Sequence, residues 1–329
     1  MDNNILAFLA SAIEFGVIFL FDCVGEIVTE KSGHLNLGIP GIMCMGAAGG
    51  CLSVKLCYLV SPAPGAFLVV LLAILFAMLF AGALGVVYDF LTVSLRSNQN
   101  VTGLACTIFG VGFTSFFLNN AVLTEGVSAN LSQAGLNFFN APLPGAETTG
   151  WFGTLFLDHG ILVYLAIVIA VIAAVVLRYT KAGLSLRAVG ENPATADAVG
   201  INVTKYKYTA ILVGAAIAGI GWLCYVMDYM NGIVGSTVDQ TVQGIGWLCI
   251  ALVIFTMWKP ALAILGSILF GALYILSSYI KGISFMQIPL LNIVPFAVTI
   301  LVLILTSIIG YREMQPPASL GLSYFREDR

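Results

Sequence analysis

Charge is scarce in this sequence: 9% of its 329 residues are Asp, Glu, Lys or Arg, whereas 60% are hydrophobic. A soluble domain carries about 25% charged residues, which cover its water-facing surface. The mean hydropathy of +1.02 agrees with this shortage. Long runs of like charge are also missing, so nothing indicates nucleic acid as a partner. The composition therefore excludes a soluble globular protein and predicts an integral membrane protein in contact with membrane lipid.

Residues suited to catalysis or metal binding are few as well. The only histidines are His34 and His159, and the seven cysteines include no Cys-x-x-Cys pair. We therefore interpret the cysteines as small buried apolar side chains. No Gly-x-x-x-x-Gly-Lys-Ser/Thr loop is present, which excludes ATP binding by that motif. The sequence predicts a protein that is not an enzyme and that holds no metal or cofactor of its own.

Apolar runs long enough to cross a bilayer as helices dominate the rest of the chain. About nine candidate spans lie near residues 5–21, 35–60, 65–92, 101–122, 159–178, 208–228, 242–258, 261–280 and 289–310. The predicted fold class is an all-α polytopic membrane protein with about 8–10 transmembrane helices, in a single domain over residues 1–329.

The basic residues predict the orientation of these spans, because cytoplasmic loops are enriched in Lys and Arg. With the segment 179–207 in the cytoplasm, eleven of the 13 basic residues fall inside and only Lys55 and Lys281 fall outside. This arrangement predicts an outside N-terminus, an inside C-terminus and an outer loop over about 123–158. A short helix is expected in that loop near 150–156.

The segment 179–207 contains a turn that leads into a short helix. Asn192 is a suitable cap, Pro193 fits the first helical position, and Gly200 is suited to end the helix that begins there. A short capped helix between two spans is suited to docking into a partner protein. A plain surface connector fits the same pattern, and the residues alone do not decide between the two.

Two apolar stretches in different halves of the chain are interrupted by glycine. Residues 32–41 open the second span with three glycines and a proline, and residues 243–247 open the seventh. Unwound backbone at membrane depth is tolerated where it lines a cavity or is buried in protein, so such pairs of segments indicate a transport site. We therefore predict that Asn36, Gln243 and Trp247 line a solute path. Gly46, Gly49 and Gly50 are better explained by close helix packing.

Polar residues at other span ends allow two interpretations. Gln99 and Asn100 open the fourth span and either cap a helix or line the inner mouth of the path. Acidic residues near the spans are functional candidates by default, but most of them lie where a solvated helix end explains them. Glu14 is the exception, because it lies within the first span and not at its end. An ion-coupled carrier would need a residue of that kind. The acidic residues in question are Glu14, Asp22, Glu26, Asp89 and Asp228.

Several segments resemble bacterial ABC transporter permeases for nucleosides and simple sugars, a group similar to the ribose-type and branched-chain amino acid permeases. EKSGHLNLGIPGIM (30–43) resembles their G-x-x-N-x-G-x-E-G segment, and LSLRAVGENPATADAVGINVTKYKY (184–208) resembles their long cytoplasmic loop. SNQNVTGL (97–104) and QGIGWLCIALVIFTMWKP (243–260) follow the same pattern. The similarity covers most of the chain in the same order, and the 184–208 loop is its most specific part.

The resemblance implies a permease with about ten helices in the bacterial plasma (inner) membrane, which works as part of an importer. A second permease subunit, identical or related, would complete the path, and an extracytoplasmic solute-binding protein would deliver the solute. An ABC ATPase subunit, which binds ATP and Mg²⁺, would dock on the cytoplasmic loop. The residues implied for this coupling are Arg187, Glu191, Asn192, Pro193, Ala196 and Gly200.

Pro40 departs from the family pattern, because many relatives carry Glu at its position in the Asn-x-Gly-x-Glu-Gly segment. The departure leaves the solute open: a nucleoside is the first expectation and a simple sugar the second. It is also compatible with one half of a heterodimeric pair. The main alternative is a self-sufficient ion-coupled secondary transporter that uses Glu14. A membrane enzyme that acts on lipid is disfavoured, because no reactive cluster is present.

Overall fold

The computed structural model describes most of the chain. The described residues are 3–61, 63–118, 129–130, 139–146, 148–230, 233–234, 238–280, 287–309 and 315–325.

Helices account for nearly all regular structure in the described residues, and we number them in chain order. They are α1 Asn3–Glu30, α2 Ile39–Val60, α3 Ala66–Asp89, α4 Gln99–Phe117, α5 Trp151–Phe156, α6 Ile161–Tyr179, α7 Lys181–Glu191, α8 Pro193–Ala198, α9 Val203–Cys224, α10 Val238–Phe255, α11 Pro260–Tyr279, α12 Ile288–Asn292 and α13 Val294–Ile309. Helices α3 and α9 each continue into a π-helical turn, Phe90–Ser94 and Tyr225–Tyr229 respectively.

The helices agree with the predicted spans in number and position. Among the described residues, eight helical segments are long and apolar enough to cross a membrane, and the shorter apolar stretch Gly244–Phe255 of α10 adds a ninth candidate. The largest difference is in α1, which continues to Glu30 instead of ending near residue 21. In addition, the second span begins at Ile39, so that residues 34–38 are not helical.

Large apolar side chains cover the outer surface of the bundle. Leu79 on α3 is 65% exposed, and Leu265 on α11 is 69% exposed. In water such a surface would favour aggregation, whereas a lipid hydrocarbon layer solvates it. The exposed faces therefore agree with the prediction of a membrane protein.

The interior of the bundle is built around α1, which packs against α6, α9, α10 and α11, while α2 packs against α3, α4 and α9. The packing is close where glycines face each other. A Cβ atom placed on Gly46 of α2 would lie 2.6 Å from the carbonyl carbon of Gly219 on α9. Similar crowding surrounds Gly49 and Gly50, which face side chains of α3 and α9. The interpretation of these glycines as packing residues is confirmed.

The predicted outer loop contains little described structure. Helix α5, Trp151–Phe156, confirms the short helix expected near 150–156. Strand β1 (Ala129–Asn130) pairs antiparallel with strand β2 (Ile233–Val234), with Ala129 opposite Val234. This two-residue pair is the only strand pairing in the described part of the chain, so the fold class is all-α as predicted.

Segments predicted to lie in the cytoplasm meet at one end of the bundle. Gly321 N–H donates to the carbonyl of Gly33 at 3.1 Å, and Ser319 N–H donates to that of Gly190 at 3.0 Å. Arg96 lies over the ring of Phe325, 4.8 Å from its centroid. We call this region the basal end. The meeting of these segments is what the alternating orientation of the spans requires.

Candidate sites for coupling and translocation

The segment 179–207, predicted to be the cytoplasmic loop, forms the short helix that its residues predict. Asn192 Oδ1 accepts a hydrogen bond from Thr195 N–H at 3.0 Å, and Pro193 occupies the first position of α8. Both features satisfy the helix start, because the first amides of a helix lack intrahelical acceptors. Helix α8 ends at Ala198, two residues before Gly200, which was predicted to end it. The predicted cap and first residue are confirmed.

Gly200 ends this helix by adopting a left-handed backbone conformation, with φ of +89°. Its N–H donates to the carbonyl of Asp197 at 3.0 Å, and Ile201 N–H donates to that of Ala196 at 3.0 Å. Together these bonds form a Schellman motif, which favours glycine because a Cβ atom is strained at positive φ. Glycine is thus favoured here by the backbone conformation and not by crowding, because a Cβ atom added at Gly200 would meet no neighbouring atom.

The residues implied for coupling divide into an exposed and a buried group. Glu191, Asn192 and Gly200 are exposed, and so is the apolar Val199, at 72%. Ala196 is buried with Val189 and Val203 in a small cluster beneath α8. The loop therefore presents one face outward and holds itself to the bundle by the other. Val199 was not singled out from the sequence, although an apolar residue at the end of a polar helix is a detectable signal.

Pro193 and Arg187 lie between these two groups. Pro193 is half-buried. Arg187 is also half-buried, and its Nε has no hydrogen-bond partner among the described residues. The two residues therefore lie at the border between the exposed face and the bundle.

The C-terminal segment 315–325 fixes the loop from the side. Ser319 Oγ donates to the carbonyl of Gly190 at 2.5 Å, beside the backbone bond from Ser319 N–H to the same oxygen. Tyr324 OH donates to Asp197 Oδ2 on α8 at 3.0 Å. These contacts join residues more than a hundred positions apart, so sequence patterns did not reveal them.

The interrupted segment between α1 and α2 is buried, and side chains satisfy its backbone. Gln99 Oε1 accepts from Leu35 N–H at 2.9 Å, and Asn36 Oδ1 accepts from Gly38 N–H at 2.9 Å. Asn36 is 1% exposed and Gln99 is 2% exposed. Buried backbone groups need such partners. Asn36 and Gln99, two of the five residues considered for the solute path, thus lie at the interruption and shape its backbone.

Other elements complete this arrangement. Tyr88 OH of α3 donates to the carbonyl of Leu35 at 2.7 Å, and Thr107 Oγ1 of α4 donates to that of Leu37 at 2.8 Å. Asn36 N–H donates to Glu26 Oε1 of α1 at 3.1 Å. Three helices therefore supply side-chain partners to a few non-helical residues. The sequence showed the interruption but gave no indication of these partners.

The two glycine-interrupted stretches lie against each other. A Cβ atom placed on Gly246 of α10 would lie 2.8 Å from Cβ of Pro40 at the start of α2. Trp247, the next residue, is half-buried. Gln243 belongs to α10, but its side chain lies outside the described residues. Asn100 is exposed beside the buried Gln99. No solute is present, so the path roles of these residues stay predictions.

Three carboxylates occupy one buried face of α1. Asp22, Glu26 and Glu30 follow each other at intervals of four residues and are 0%, 0% and 2% exposed. Cys249 Sγ lies 3.8 Å from Asp22 Oδ2 and donates to it, and Trp258 Nε1–H donates to Glu30 Oε2. Buried carboxyl groups are costly without such donors. This stripe occupies the C-terminal third of α1, which ends near the basal end.

The solvated positions predicted for several acidic residues are wrong. Asp22, Glu26 and Asp89 are fully buried, and Asp228 is half-buried. For Asp22 and Glu26 the physical reason is helix length, because α1 continues through Glu30 instead of ending near residue 21. Asp89 and Asp228 do lie within a few residues of the ends of their helical segments, as predicted, but packing within the bundle covers them there.

Glu14 has a partner near the opposite end of α1. Its Oε1 lies 3.6 Å from Nδ1 of His159, and its side chain is 40% exposed. His159 Nε2 donates to the carbonyl of Leu155 at 2.9 Å. Burial opposes the imidazolium form of His159, but the nearby Glu14 carboxylate and the hydrogen bond to Leu155 outweigh it and raise the pKa of His159. Glu14 therefore faces a buried histidine and is not an isolated carboxylate within its span.

Comparison with known proteins identifies the family. Residues 8–303 match the family described as branched-chain amino acid transport system / permease component. The chain is 30% identical to the nucleoside ABC transporter permease protein NupC of Lactococcus lactis, over 92% of this chain and 93% of that protein. It is 29% identical to the putative glucose ABC transporter permease protein TsgC13 of Haloferax volcanii, over 80% of this chain and 75% of that protein.

A third relative, the guanosine ABC transporter permease protein NupQ of Bacillus subtilis, is 27% identical over 99% of both chains. No solved structure matches the chain significantly. The resemblance that the sequence carries is thus confirmed over nearly its whole length, and it accounts for the apolar helices. The chain belongs to the branched-chain amino acid transport system / permease component family, as a multi-pass permease of the bacterial inner membrane and not as an enzyme.

Proposed function

We propose that the chain is the membrane-spanning subunit of an ATP-driven importer that carries a nucleoside. The observation that carries this proposal is the similarity to NupC, a nucleoside permease, at 30% identity over 92% of this chain. The guanosine permease NupQ supports the same solute class. The putative glucose permease TsgC13 favours a second candidate, a simple sugar. Both classes present a hydroxyl-bearing ring to the path.

The solute path in this proposal passes beside the interrupted segment between α1 and α2. Asn36 and Gln99 hold the backbone of the wall through the hydrogen bonds described above. Asn100, Gln243 and Trp247 are the candidates for direct contact with the solute. An indole such as Trp247 suits a nucleoside, because a flat base stacks on an aromatic ring.

The ATPase docking site in this proposal is the exposed part of residues 190–201, from the end of α7 through α8. Glu191 and Asn192 lie at the corner between the two helices, and Val199 is exposed at the end of α8. Movement of an ATPase against this face would be transmitted to the bundle through Ala196, whose side chain is buried on the inner side of α8. ATP and Mg²⁺ belong to that partner.

The remaining partners in this proposal follow from the family. An extracytoplasmic solute-binding protein delivers the solute to the outer face, and a second permease subunit completes the path. The relatives are ABC transporter permease proteins, which supports partners of this kind. Whether the second subunit is identical or related is decided by purifying tagged chain with its partners and identifying them.

Uptake measurements test the solute. Labelled guanosine and labelled glucose are each offered to cells with and without the chain, and the other compound is added unlabelled in excess. We expect guanosine uptake that depends on the chain and that excess glucose leaves unchanged. Chain-dependent glucose uptake without guanosine uptake would instead establish the sugar candidate. The absence of both would overturn the proposed solute classes.

The same cells separate the importer from an ion-coupled carrier. Depletion of ATP should stop uptake even when the proton gradient is maintained. Dissipation of the gradient should leave uptake unchanged when ATP is maintained. The variant Glu14→Gln removes the charge that faces His159, and we expect it to retain most uptake because an ATP-driven importer does not need this carboxylate to carry a coupling ion. Loss of uptake in this variant, together with dependence on the gradient, would contradict the ATP-driven proposal.

A further inference from the structure

A cavity of about 660 Å³ opens at the basal end of the bundle. Its walls are the end of α3, the turn after α8, the first residues of α9 and the C-terminal segment. Its polar side chains include His34, Arg96, Asp197, Lys205, Lys207 and Tyr324. Cavities of this size hold small ligands. Among the described side chains, none of those predicted for the solute path lines it.

Lys207 is the wall residue that most needs a ligand. It is 2% exposed, and its ammonium group makes no hydrogen bond or ion pair with any residue of the described ranges. It lies on the same face of α9 as Thr204, one turn from the helix start. A buried charge without a partner is costly. The cavity is the space from which a counter-charge can approach it.

His34 presents a second set of unpaired polar atoms. The residue is 1% exposed, and neither Nδ1 nor Nε2 has a hydrogen-bond partner within the described part of the chain. Burial, together with the nearby Lys207 ammonium, holds the pKa of His34 well below its usual range. The neutral ring supplies one N–H donor, and in this state it adds no repulsion to Lys207.

The start of α9 contributes backbone donors to the same cavity. Asn202 Oδ1 accepts from Lys205 N–H at 2.9 Å. The N–H groups of Val203 and Thr204 have no acceptor within the helix, because they belong to its first turn. All four of these residues line the cavity. The N-terminus of a helix favours an anion, because its amides and its dipole both point outward.

The charge balance of the walls favours an anion as well. Arg96, Lys205 and Lys207 are cationic, and Asp197 is the one carboxylate among the described lining residues. Asp197 already accepts from Tyr324 OH at 3.0 Å. A phosphate group suits this set of donors, since it offers several oxygens to cations and amides that approach from different sides.

We propose that the basal cavity binds a phosphate-bearing anion, with Lys207 as its main ligand and His34 and the start of α9 as further donors. The bound group would join the turn after α8 to the end of α3 and to the C-terminal segment. It would therefore hold the proposed docking helix in place against the bundle. A soluble phosphate compound and an anionic lipid headgroup offer the same chemistry. The site does not depend on which solute is transported.

Thermal unfolding of the full-length chain tests the soluble source. The chain is purified in a maltoside detergent, which contains no phosphate, and it is titrated with inorganic phosphate or AMP against chloride at matched ionic strength. We expect phosphate to raise the unfolding temperature, because a ligand that binds only the folded state stabilises it. Lys207→Gln should weaken the apparent affinity about tenfold, as expected for loss of a charge-assisted hydrogen bond.

Native mass spectrometry tests the lipid source with the same proteins. The chain is exchanged into mixed micelles with phosphatidylglycerol or phosphatidylcholine, and the lipids retained on each chain are counted. Retention of phosphatidylglycerol that Lys207→Gln reduces would assign the phosphate to a lipid headgroup. Stabilisation by inorganic phosphate or AMP without such retention would assign it to a soluble compound.

Two further variants separate binding from folding. Lys207→Arg keeps the charge and should retain most of the affinity. Lys181→Gln removes an exposed lysine of α7 that does not line the cavity, so its binding should match that of the wild type. The proposal is overturned if no phosphate source binds, or if Lys207→Gln binds as tightly as the wild type. Either outcome leaves the proposed transport function untouched.

Discussion

The interrupted segment at residues 32–38 and the cytoplasmic loop at residues 180–202 are both breaks between helices, yet they are built in opposite ways. The interrupted segment is buried, and side chains from α1, α3 and α4 bind its backbone. The cytoplasmic loop is largely exposed, and its own capping residues Thr180, Asn192 and Gly200 satisfy its backbone. The first break depends on side chains from three other helices, whereas the helix ends of the second are capped locally, with the C-terminal segment adding bonds from Ser319 and Tyr324.

Because of this difference, we expect substitutions in the two regions to affect different properties, stability in one and partner binding in the other. In the buried segment a substitution removes a partner from a group that water cannot reach, so it lowers the stability of the fold. In the exposed loop a substitution leaves solvated groups, so it alters what the surface binds. Substitutions in the first region should therefore act on folding and those in the second on coupling.

The largest effect is expected at Gly41, near the start of α2. In the variant Gly41→Ala the new Cβ atom would lie 2.8 Å from Cα of Thr107 on α4. Because the obstacle is backbone, we expect a loss of about 3 kcal/mol or more and a low yield of folded protein in size-exclusion chromatography. Gly112→Ala on α4 is the matched control, since its Cβ atom meets open space. Equal yields of the two variants would contradict the tight packing of this region.

A smaller loss of stability is expected at Gln99. The variant Gln99→Ala leaves Leu35 N–H without its acceptor, which costs about 1–3 kcal/mol for a buried donor. The neighbouring Asn100→Ala, at an exposed position, should unfold within about 0.5 kcal/mol of the wild type. Thermal unfolding measures both. If Asn100→Ala is stable but defective in uptake, the predicted path role of Asn100 gains support.

In the cytoplasmic loop the largest change in stability is expected at Gly200. The variant Gly200→Ala meets no neighbouring atom but places a Cβ atom at φ of +89°, which costs about 1–2 kcal/mol. The strain should shift the end of α8, so ATP hydrolysis by the assembled transporter should continue with less solute uptake per ATP. Uptake per ATP equal to that of the wild type would remove Gly200 from the coupling site.

The smallest effect on stability is expected at Glu191. Its side chain is exposed, so Glu191→Ala should unfold within about 0.5 kcal/mol of the wild type. We nevertheless expect reduced uptake, because the residue lies on the proposed ATPase face. Lys181→Ala, also exposed and at the start of α7, is the control. Normal uptake by Glu191→Ala would contradict the expectation that substitutions in the exposed loop act on coupling.

Local patterns predicted the cytoplasmic loop well. The cap at Asn192, the proline at the helix start and the terminal glycine act within a few residues of each other, so their geometry follows from the sequence alone. The exposed corner at Glu191 follows from the same pattern. The contact of Tyr324 with Asp197 did not follow, because it joins the chain end to a loop far away.

The interrupted segment was predictable as a break but not as a structure. Glycine and proline at residues 33–41 indicated that the helix stops, and Asn36 and Gln99 were recognised as polar groups in unusual places. Their partners lie on other helices, so no local spacing revealed them. For the same reason the length of α1 was underestimated, and the buried stripe that includes Asp22 and Glu26 was interpreted as a solvated end.

The sequence by itself determined that this protein spans a membrane, where its helices lie, and to which family it belongs. Lipid cannot satisfy backbone polar groups, so each span must be an apolar helix of about twenty residues, which can be recognised in the sequence. Helix caps act within a few residues, so they can be recognised there as well. Only the tertiary structure decided which polar groups are buried together, from the bonds around residues 34–38 to the unpaired Lys207 beside His34. Those pairings depend on how helices distant in sequence pack, since burial turns each polar side chain into a group that must find a partner.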